Sequence, residues 1–435
     1  MDASKYARDI SQVNVLLNTP FTILRTMGKN KGFKEFKFTT DAYIAKHIKP
    51  IKQYSREVPT KPNIVLIILE GMGDEYLGVM NQHTNIANYR THTPFLDSLA
   101  QQGYYFTNIY ANSIHSIEGI SAVTAGMPTF QTAWVRSGYA QRKVASLPEI
   151  ARSLGYETLF AHGATNGSMN FDGYTHQIGY QTYLGRTEFN DERYYNGSWG
   201  IDDEPFLQYF AKNINKMKRP FLATVFTLSS HGPYKVPEPH NKRFNNGDIL
   251  MHNVVEYSDY AIKKFFDTIK KEDWYNNTIF AIISDHTTED YYDYYKQKIA
   301  HHRLPIILFS PNKTLMAQGS SEELGQQIDI FPTLVDLMGY QKPFRSWGRS
   351  LLANKADETP RAFVTNTQFY QLIQGNYIYV LDLQGEVVGV YSKDDLNLSH
   401  NLKEQIANNE EMKKGIADMR AFMQDFMDRI INDKL

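Results

Sequence analysis

Asn63-Ile64-Val65-Leu66-Ile67-Ile68-Leu69-Glu70-Gly71-Met72-Gly73 is the stretch on which the fold turns. Six apolar residues run without interruption and end on a carboxylate followed by a Gly-Met-Gly turn. A run of that length has the size of one strand. Its lack of alternation predicts a strand buried on both faces, as in a parallel sheet. Ligands of open parallel sheets gather outside the carboxyl ends of the strands. Glu70 stands at such an end.

The same pattern recurs downstream. Phe221 to His231 is an apolar run ending in Thr-Leu-Ser-Ser-His, Thr278 to His286 ends in Ser-Asp-His, and Leu304 to Ser310 is a fourth run. Helical spacing lies between them, at Thr93–Ala100, Leu147–Leu154 and Val254–Ile269. Strands alternating with helices predict an α/β fold with a largely parallel central sheet flanked by helices. After about residue 360 the texture changes. Tyr377–Asp382 and Glu386–Tyr391 flank a Leu-Gln-Gly turn and predict a hairpin, followed by a helix from about Glu404 to Ile431.

These readings divide the chain into a helical arm and linker (1–60), a catalytic domain (61–360) and a hairpin-plus-helix subdomain (361–435). In the arm, Val13–Leu24 is apolar but broken by Pro20, and Lys49–Pro62 is basic and punctuated by prolines. Two accounts of the arm stay open at this point, a strap packed on the domain and a stem leading to a membrane anchor.

Bulk properties narrow the chemistry. The 435 residues suffice for one large α/β domain with an appendage. A formal net charge of −1 provides no global field for nucleic acid. With no cysteine, thiol nucleophiles, disulfides and thiolate zinc sites are excluded. No apolar stretch is long enough to span a bilayer.

Glu70 and Asp285 are hard oxygen donors, and His286 adds a nitrogen. That mixed set suits Mn²⁺, Mg²⁺ or Zn²⁺, and carboxylates placed at buried strand ends call for pairing or a metal. The segment Asn112 to Pro128 reads as a polar turn, then a helix, then Gly-Met-Pro. Within it Ser116 admits two readings, a nucleophile at an anion-favouring helix N-terminus or an ordinary N-cap.

Taken together these residues resemble the alkaline phosphatase superfamily. The resemblance rests on Glu70 after the first strand, Ser116 with Gly126 ten residues on, Asp285-His286 ahead of Leu304-Pro305-Ile306, and Ile328 to Gly339 as a D-I-x-P-T-L helix. It extends over roughly residues 60–400. Three branches are separable. Sulfatases carry Pro and Arg after the nucleophile, and here Ile117 to Ile120 holds neither. Two-metal phosphodiesterases have an acid four residues before the strand-end histidine, and here Thr227 precedes His231. The lipoteichoic acid synthase-like transferases share Trp199-Gly-Ile-Asp-Asp-Glu204, Thr227-Leu-Ser-Ser-His231-Gly-Pro-Tyr234 and Phe160-Ala-His162-Gly163.

That branch implies one divalent cation, foremost Mn²⁺ with Mg²⁺ and Zn²⁺ as alternatives, held by Glu70, Ser116, Asp285 and His286. It implies Ser116 as catalytic nucleophile and a phospholipid or glycan head group as substrate. It also implies an outward-facing domain of a bacterial membrane-anchored protein whose anchor lies outside this chain. The family's Trp and Arg after the His-Gly pair fall near Met169 and Phe171, so this chain departs from the pattern where the head group is read. Candidate substrate contacts are His162, His231, Asn170 and His302. Asp172, His301 and Arg186 are further polar candidates, a surface ion pair being the safer reading of Arg186. Two alternatives in other classes are a sulfuric ester hydrolase and a non-catalytic glycan- or lipid-binding domain.

Overall fold

The structure is a computed structural model and describes residues 33–435 apart from 59, 354–357 and 367. Most of the helical arm, including Val13–Leu24, lies outside the described residues. The chain enters with helix α1 (Asp41–His47) and reaches strand β1 (Asn63–Leu69). Helix α2 (Pro94–Gln102), strand β2 (Tyr104–Phe106), helix α3 (Ser116–Ala125) and helix α4 (Leu147–Ser153) follow. Next come β3 (Glu157–His162), α5 (Phe171–Gln177), β4 (Thr182–Leu184), α6 (Asp203–Ile214), β5 (Phe221–Phe226), α7 (Leu250–Ile269) and β6 (Thr278–Ser284). The domain continues with β7 (Ile306–Phe309), β8 (Gly319–Ser321) and α8 (Ile330–Leu337). Strands β9 (Arg361–Thr365), β10 (Phe369–Gln374), β11 (Tyr377–Asp382) and β12 (Val387–Ser392) and helix α9 (Glu410–Ile431) close the chain.

Eight strands form the central sheet in the order β8-β2-β7-β6-β1-β5-β3-β4. Strand β1 pairs in parallel with β6 on one side and β5 on the other, and β3 and β4 continue the parallel run. Both faces are covered. Ile64, Leu66 and Ile68 point into a core shared with α3, α4, α8 and the C-terminal elements. Val65, Ile67 and Leu69 point into a second core with α2, α6 and α7. The two-residue period of a strand thus supplies both layers from one apolar run. Each such side chain contributes roughly 1.5–3 kcal/mol on full burial.

Strand β7 runs antiparallel to both β6 and β2. A parallel return would need a crossover of helical length. Between Ser284 and Ile306 the chain holds only a short 3₁₀ turn at Ala300–His302, so it re-enters the sheet at the end it left.

The C-terminal region is larger than a hairpin. The β11–β12 pair expected from sequence is half of a four-stranded antiparallel sheet, β9-β10-β11-β12. The terminal helix also starts later than expected. Lys403–Asn408 is 3₁₀, and Asn409 then caps α9 by accepting from the Met412 N–H at 3.0 Å. Lys49–Pro62, expected as a linker, runs along the domain instead. Ile51 and Lys52 pair with Arg345 and Phe344, Tyr54 is buried, and the buried Lys52 ammonium meets Glu358 at 2.9 Å.

Candidate metal centre and catalytic site

The carboxyl ends of β6, β1, β5 and β3 lie side by side, and the polar residues of the site follow them. Glu70 follows β1, Asp285-His286 follows β6, Thr227 to His231 follows β5, and His162 ends β3. The first turn of helix α3 packs against this edge. Its residue Gly119 packs against the Asp285 backbone so closely that a Cβ there would lie 2.1 Å from the Asp285 carbonyl oxygen. At the other end Gly126 adopts φ +58°, and the Gly126 and Met127 N–H groups donate to Ala122 and Ser121 carbonyls. This is a left-handed stop that glycine accepts most easily. The ten-residue step from Ser116 to Gly126 is therefore the length of one helix.

Ser116 is the first residue of α3, whereas His115 occupies the cap position. The N-cap reading of Ser116 is thereby set aside, and its hydroxyl turns towards the strand ends. Ser116 Oγ donates to Glu70 Oε2 at 3.3 Å and stands 3.2 Å from His286 Nε2. His286 Nε2 is 3.3 Å from Asp285 Oδ2 and 3.6 Å from Glu70 Oε1. Glu70, Asp285 and His286 are all buried, with ligand atoms within 4.8 Å of one another, a group able to hold a metal ion.

The details fit a cation. Asp285 Oδ1 accepts from the Gly71 and His286 N–H groups, each at 2.8 Å, while Asp285 Oδ2 is buried without a hydrogen-bond partner. The His286 Nδ1–H faces the Thr287 carbonyl at 2.8 Å, leaving the Nε2 lone pair towards the cluster. Burial, reinforced by Asp285, raises the Glu70 carboxyl well above its usual range. A bound cation relieves each of these costs.

Supporting groups fix the frame. The Thr227 hydroxyl accepts from the Glu70 N–H at 2.9 Å, and the Ser230 hydroxyl donates to the Glu70 carbonyl at 2.6 Å. Gln327 Nε2 donates to the Ser284 and Asp285 carbonyls at 2.8 and 2.6 Å. Asp203 accepts from the Leu228 N–H at 2.7 Å, the Ser229 N–H at 3.2 Å and the Ser258 hydroxyl at 3.0 Å, holding the loop that leads to His231. Nothing in the local sequence marks Gln327 or Asp203 as part of the site. Their signal was position only, beside the D-I-x-P-T-L helix and inside the Trp199–Glu204 element.

The remaining candidates separate. His162 is buried against Phe226, and its Nδ1 meets the Phe226 carbonyl at 3.1 Å. Burial pushes its imidazole down to about 4, with the charge of nearby His231 adding to the effect. His231 is half-buried against the Trp199 ring, with Nδ1 on the Gly232 carbonyl at 3.0 Å. Asn170 is exposed ahead of α5 at φ +61°, and Asp172 forms a local turn by accepting from Gly173 N–H. His302 is buried with its Nδ1 unpartnered, and burial pushes it down to about 3. His301 pairs with Asp290 at 2.5 Å. Arg186 is taken by Glu192, Thr165 and the Tyr195 ring, the surface ion pair.

A parallel sheet presenting a buried Glu-Asp-His group and a helix-borne serine at its carboxyl edge defines an alkaline-phosphatase-like fold. Residues 62–340 match the Sulfatase family model, and the chain belongs to that family. Similar solved structures include a protein of the alkaline phosphatase superfamily from Vibrio parahaemolyticus, with TM-score 0.73 and 23% identity over 96% of this chain and 97% of that one. A lipoteichoic acid synthase from Listeria monocytogenes has TM-score 0.72 and 18% identity, covering 91% of this chain and 99% of that one. Among curated sequences, lipoteichoic acid synthase 1 of Bacillus subtilis is 27% identical over 309 residues, 61% of this chain and 45% of its own length. A lipoteichoic acid synthase-like protein of the same organism is 24% identical over 378 residues, 76% of this chain and 57% of its own. The chain thus spans about half the length of these relatives.

Proposed function

We propose that this chain transfers or hydrolyses phospho-groups of phosphate esters in lipid or glycan head groups, through a covalent intermediate on Ser116. The observation that carries this reading is the Ser116 hydroxyl, set at the head of α3 between Glu70 Oε2 and His286 Nε2. In the proposal Glu70, Ser116, Asp285 and His286 hold one divalent cation, foremost Mn²⁺. When bound, such an ion supplies Lewis-acid polarisation of a phosphoryl oxygen and favours the serine alkoxide.

The chain's own groups do the rest. Ser116 Oγ is the attacking atom, and the first-turn N–H groups of α3 and the helix dipole favour the anionic phosphoryl oxygens. His162 and His231 each place Nδ1 on a backbone carbonyl, which leaves Nε2 as the outward atom. With its pKa near 4, His162 is neutral at neutral pH and suits hydrogen bonding to the head group. His231 is proposed to exchange the proton with the leaving and entering oxygens. Asn170 and His302 complete the proposed head-group contacts. The domain is proposed to face outward from a bacterial envelope as part of a membrane-anchored protein. No helix among the described residues is long and apolar enough to cross a membrane.

The test is covalent labelling. Wild type incubated with Mn²⁺ and a nitrophenyl phosphodiester should gain one phospho-adduct, mapped by mass spectrometry to Ser116. The Ser116→Ala variant should show neither adduct nor turnover. Full turnover by that variant sinks the assignment, and release of free sulfate from a sulfate ester in preference to phosphoester cleavage moves the activity to sulfuric ester hydrolysis.

A further inference from the structure

We propose that the cleft between residues 193–205 and 235–240 binds a short zwitterion, a small aliphatic molecule with an ammonium at one end and an anionic group at the other. The site lies outside the phosphoester chemistry proposed above and does not rest on it.

The cleft holds about 280 Å³. A water needs roughly 10–15 Å³ of such space, so a small organic molecule fits. One wall is the segment that leads into α6, and the other continues from the His231 loop. The two segments are tied together where Trp199 Nε1 donates to the Gly232 carbonyl at 2.7 Å.

Most charged groups on these walls are already engaged. Arg193 Nε donates to Asp191 Oδ1 at 2.8 Å. His240 Nε2 meets Glu204 Oε2 at 2.6 Å, and Glu238 accepts from the Asn241 amide at 2.8 Å. Asp202 and Lys235 remain. Among the described residues, neither the Asp202 carboxylate nor the Lys235 ammonium has a hydrogen-bond or ion-pair partner. Burial, reinforced by Asp203, pushes the Asp202 carboxyl up to about 7, and Lys235 only partly offsets this without pairing with it. An ammonium brought beside Asp202 would favour its charged form.

The two free groups have opposite sign, and that selects the ligand. A lone cation gains Asp202 but meets Lys235 as a like charge. A lone anion gains Lys235 but meets Asp202. A molecule carrying both charges satisfies both groups. The rest of the lining includes Tyr194, left 42% exposed, together with Pro205 and Pro237. Their apolar faces suit a methylene spacer.

The test uses the whole chain and ligand-observed NMR, with γ-aminobutyrate and ε-aminohexanoate as zwitterions. Butyrate, hexanoate and the matching amines carry the same chains with one charge each. At least one zwitterion should bind about ten-fold or more tightly than either of its single-charge counterparts, the worth of one charged hydrogen bond. Asp202→Asn and Lys235→Gln should each raise the Kd of that zwitterion about ten-fold. Lys235 is exposed, so its variant reports even if Asp202→Asn fails to fold. A preference below about two-fold for both zwitterions in wild type, too little for a second charged contact, overturns the site. So does a wild-type Kd in Lys235→Gln. Ser116→Ala should bind the zwitterion as wild type does. Loss of binding in that variant moves the ligand to the catalytic centre and also overturns the site. Failure of the Ser116 labelling, with zwitterion binding intact, counts against the phosphoester reading alone.

Discussion

Ser116 Oγ and His286 Nε2 stand 3.2 Å apart, one at the head of α3 and the other just past the end of β6. That gap is set by backbone packing. Gly119 lets α3 lie directly on the Asp285 carbonyl, and any side chain there would force the two elements apart.

Gly119→Ala tests this spacing. The added methyl cannot be housed at 2.1 Å from a backbone oxygen, so α3 must shift. Overpacking of this kind costs about 1–3 kcal/mol. The expected outcome is a lower melting temperature and at least about a ten-fold loss of the proposed phosphoester turnover, since misplacements near 1 Å can cost a hundred-fold. Wild-type turnover in a folded variant would show that the contact does not set the gap.

Asp285→Asn separates metal binding from folding. Asparagine keeps Oδ1 as the acceptor of the Gly71 and His286 N–H groups and replaces only Oδ2, which is buried without a hydrogen-bond partner. Removing charge from an oxygen buried in that way relieves a desolvation cost. The metal-free variant should melt at or above the wild-type temperature, while the rise produced by Mn²⁺ in wild type should vanish. An undiminished Mn²⁺ shift removes Asp285 from the ligand set.

Asp203→Ala should act at a distance. It strips three donors, the Leu228 N–H, Ser229 N–H and Ser258 hydroxyl, of their common acceptor. Leaving buried donors unpaired costs about 1–3 kcal/mol each. The loop to His231 should loosen, seen as faster amide exchange at Leu228 and Ser229 and reduced turnover. Unchanged exchange would remove Asp203 as its anchor.

His252 carries a pH prediction. It is fully buried, stacked on His92 with ring centres 3.8 Å apart, and its Nδ1 accepts from the Asp248 N–H at 3.2 Å. Burial, and then the neighbouring His92, push it down to about 4. An unfolded histidine titrates near 6.5, so between these values the unfolded chain binds the extra proton. The contribution of His252 to stability is therefore complete above about pH 6.5 and is lost as the pH falls through 4. His252→Asn should flatten the acid side of the stability curve by up to about 3 kcal/mol. Buried carboxyls such as Asp74, held up to about 7, act with the opposite sign, so the variant must be compared with wild type at each pH. Parallel curves would place the His252 titration outside this window.

Legibility followed local strength of pattern. Strands β1, β5 and β6 were readable because each is a continuous apolar run buried on both faces. Strands β4 and β8 were not, since three residues such as Gly319–Ser321 carry no periodicity and pair only through tertiary context. β9 and β10 escaped because β9 carries only three apolar residues between Arg361 and Thr365, and Gln371 breaks the apolar run of β10 although it is buried. The direction of β7 depended on the loop before it rather than on its own residues. In the site, Glu70 and Asp285 were visible as strand-end carboxylates. Ser116 was ambiguous locally, and only the placement of His115 in the cap position separates the two readings. Asp203 was silent because its nearest backbone partner, Leu228, lies 25 residues away.

Sheet order also has a temporal consequence. Glu70 and Asp285 become neighbours only when β1 and β6 pair, and the Gly71–Asp285 hydrogen bond spans 214 residues of chain. Contacts so distant form late, because long loops must close first. During synthesis Glu70 and Ser116 wait, without their imidazole and second carboxylate, until the chain has grown through Asp285, 214 residues past Gly71. A chain interrupted before β6 lacks Asp285 and His286, two of the four proposed ligands, so the proposed centre cannot assemble on it.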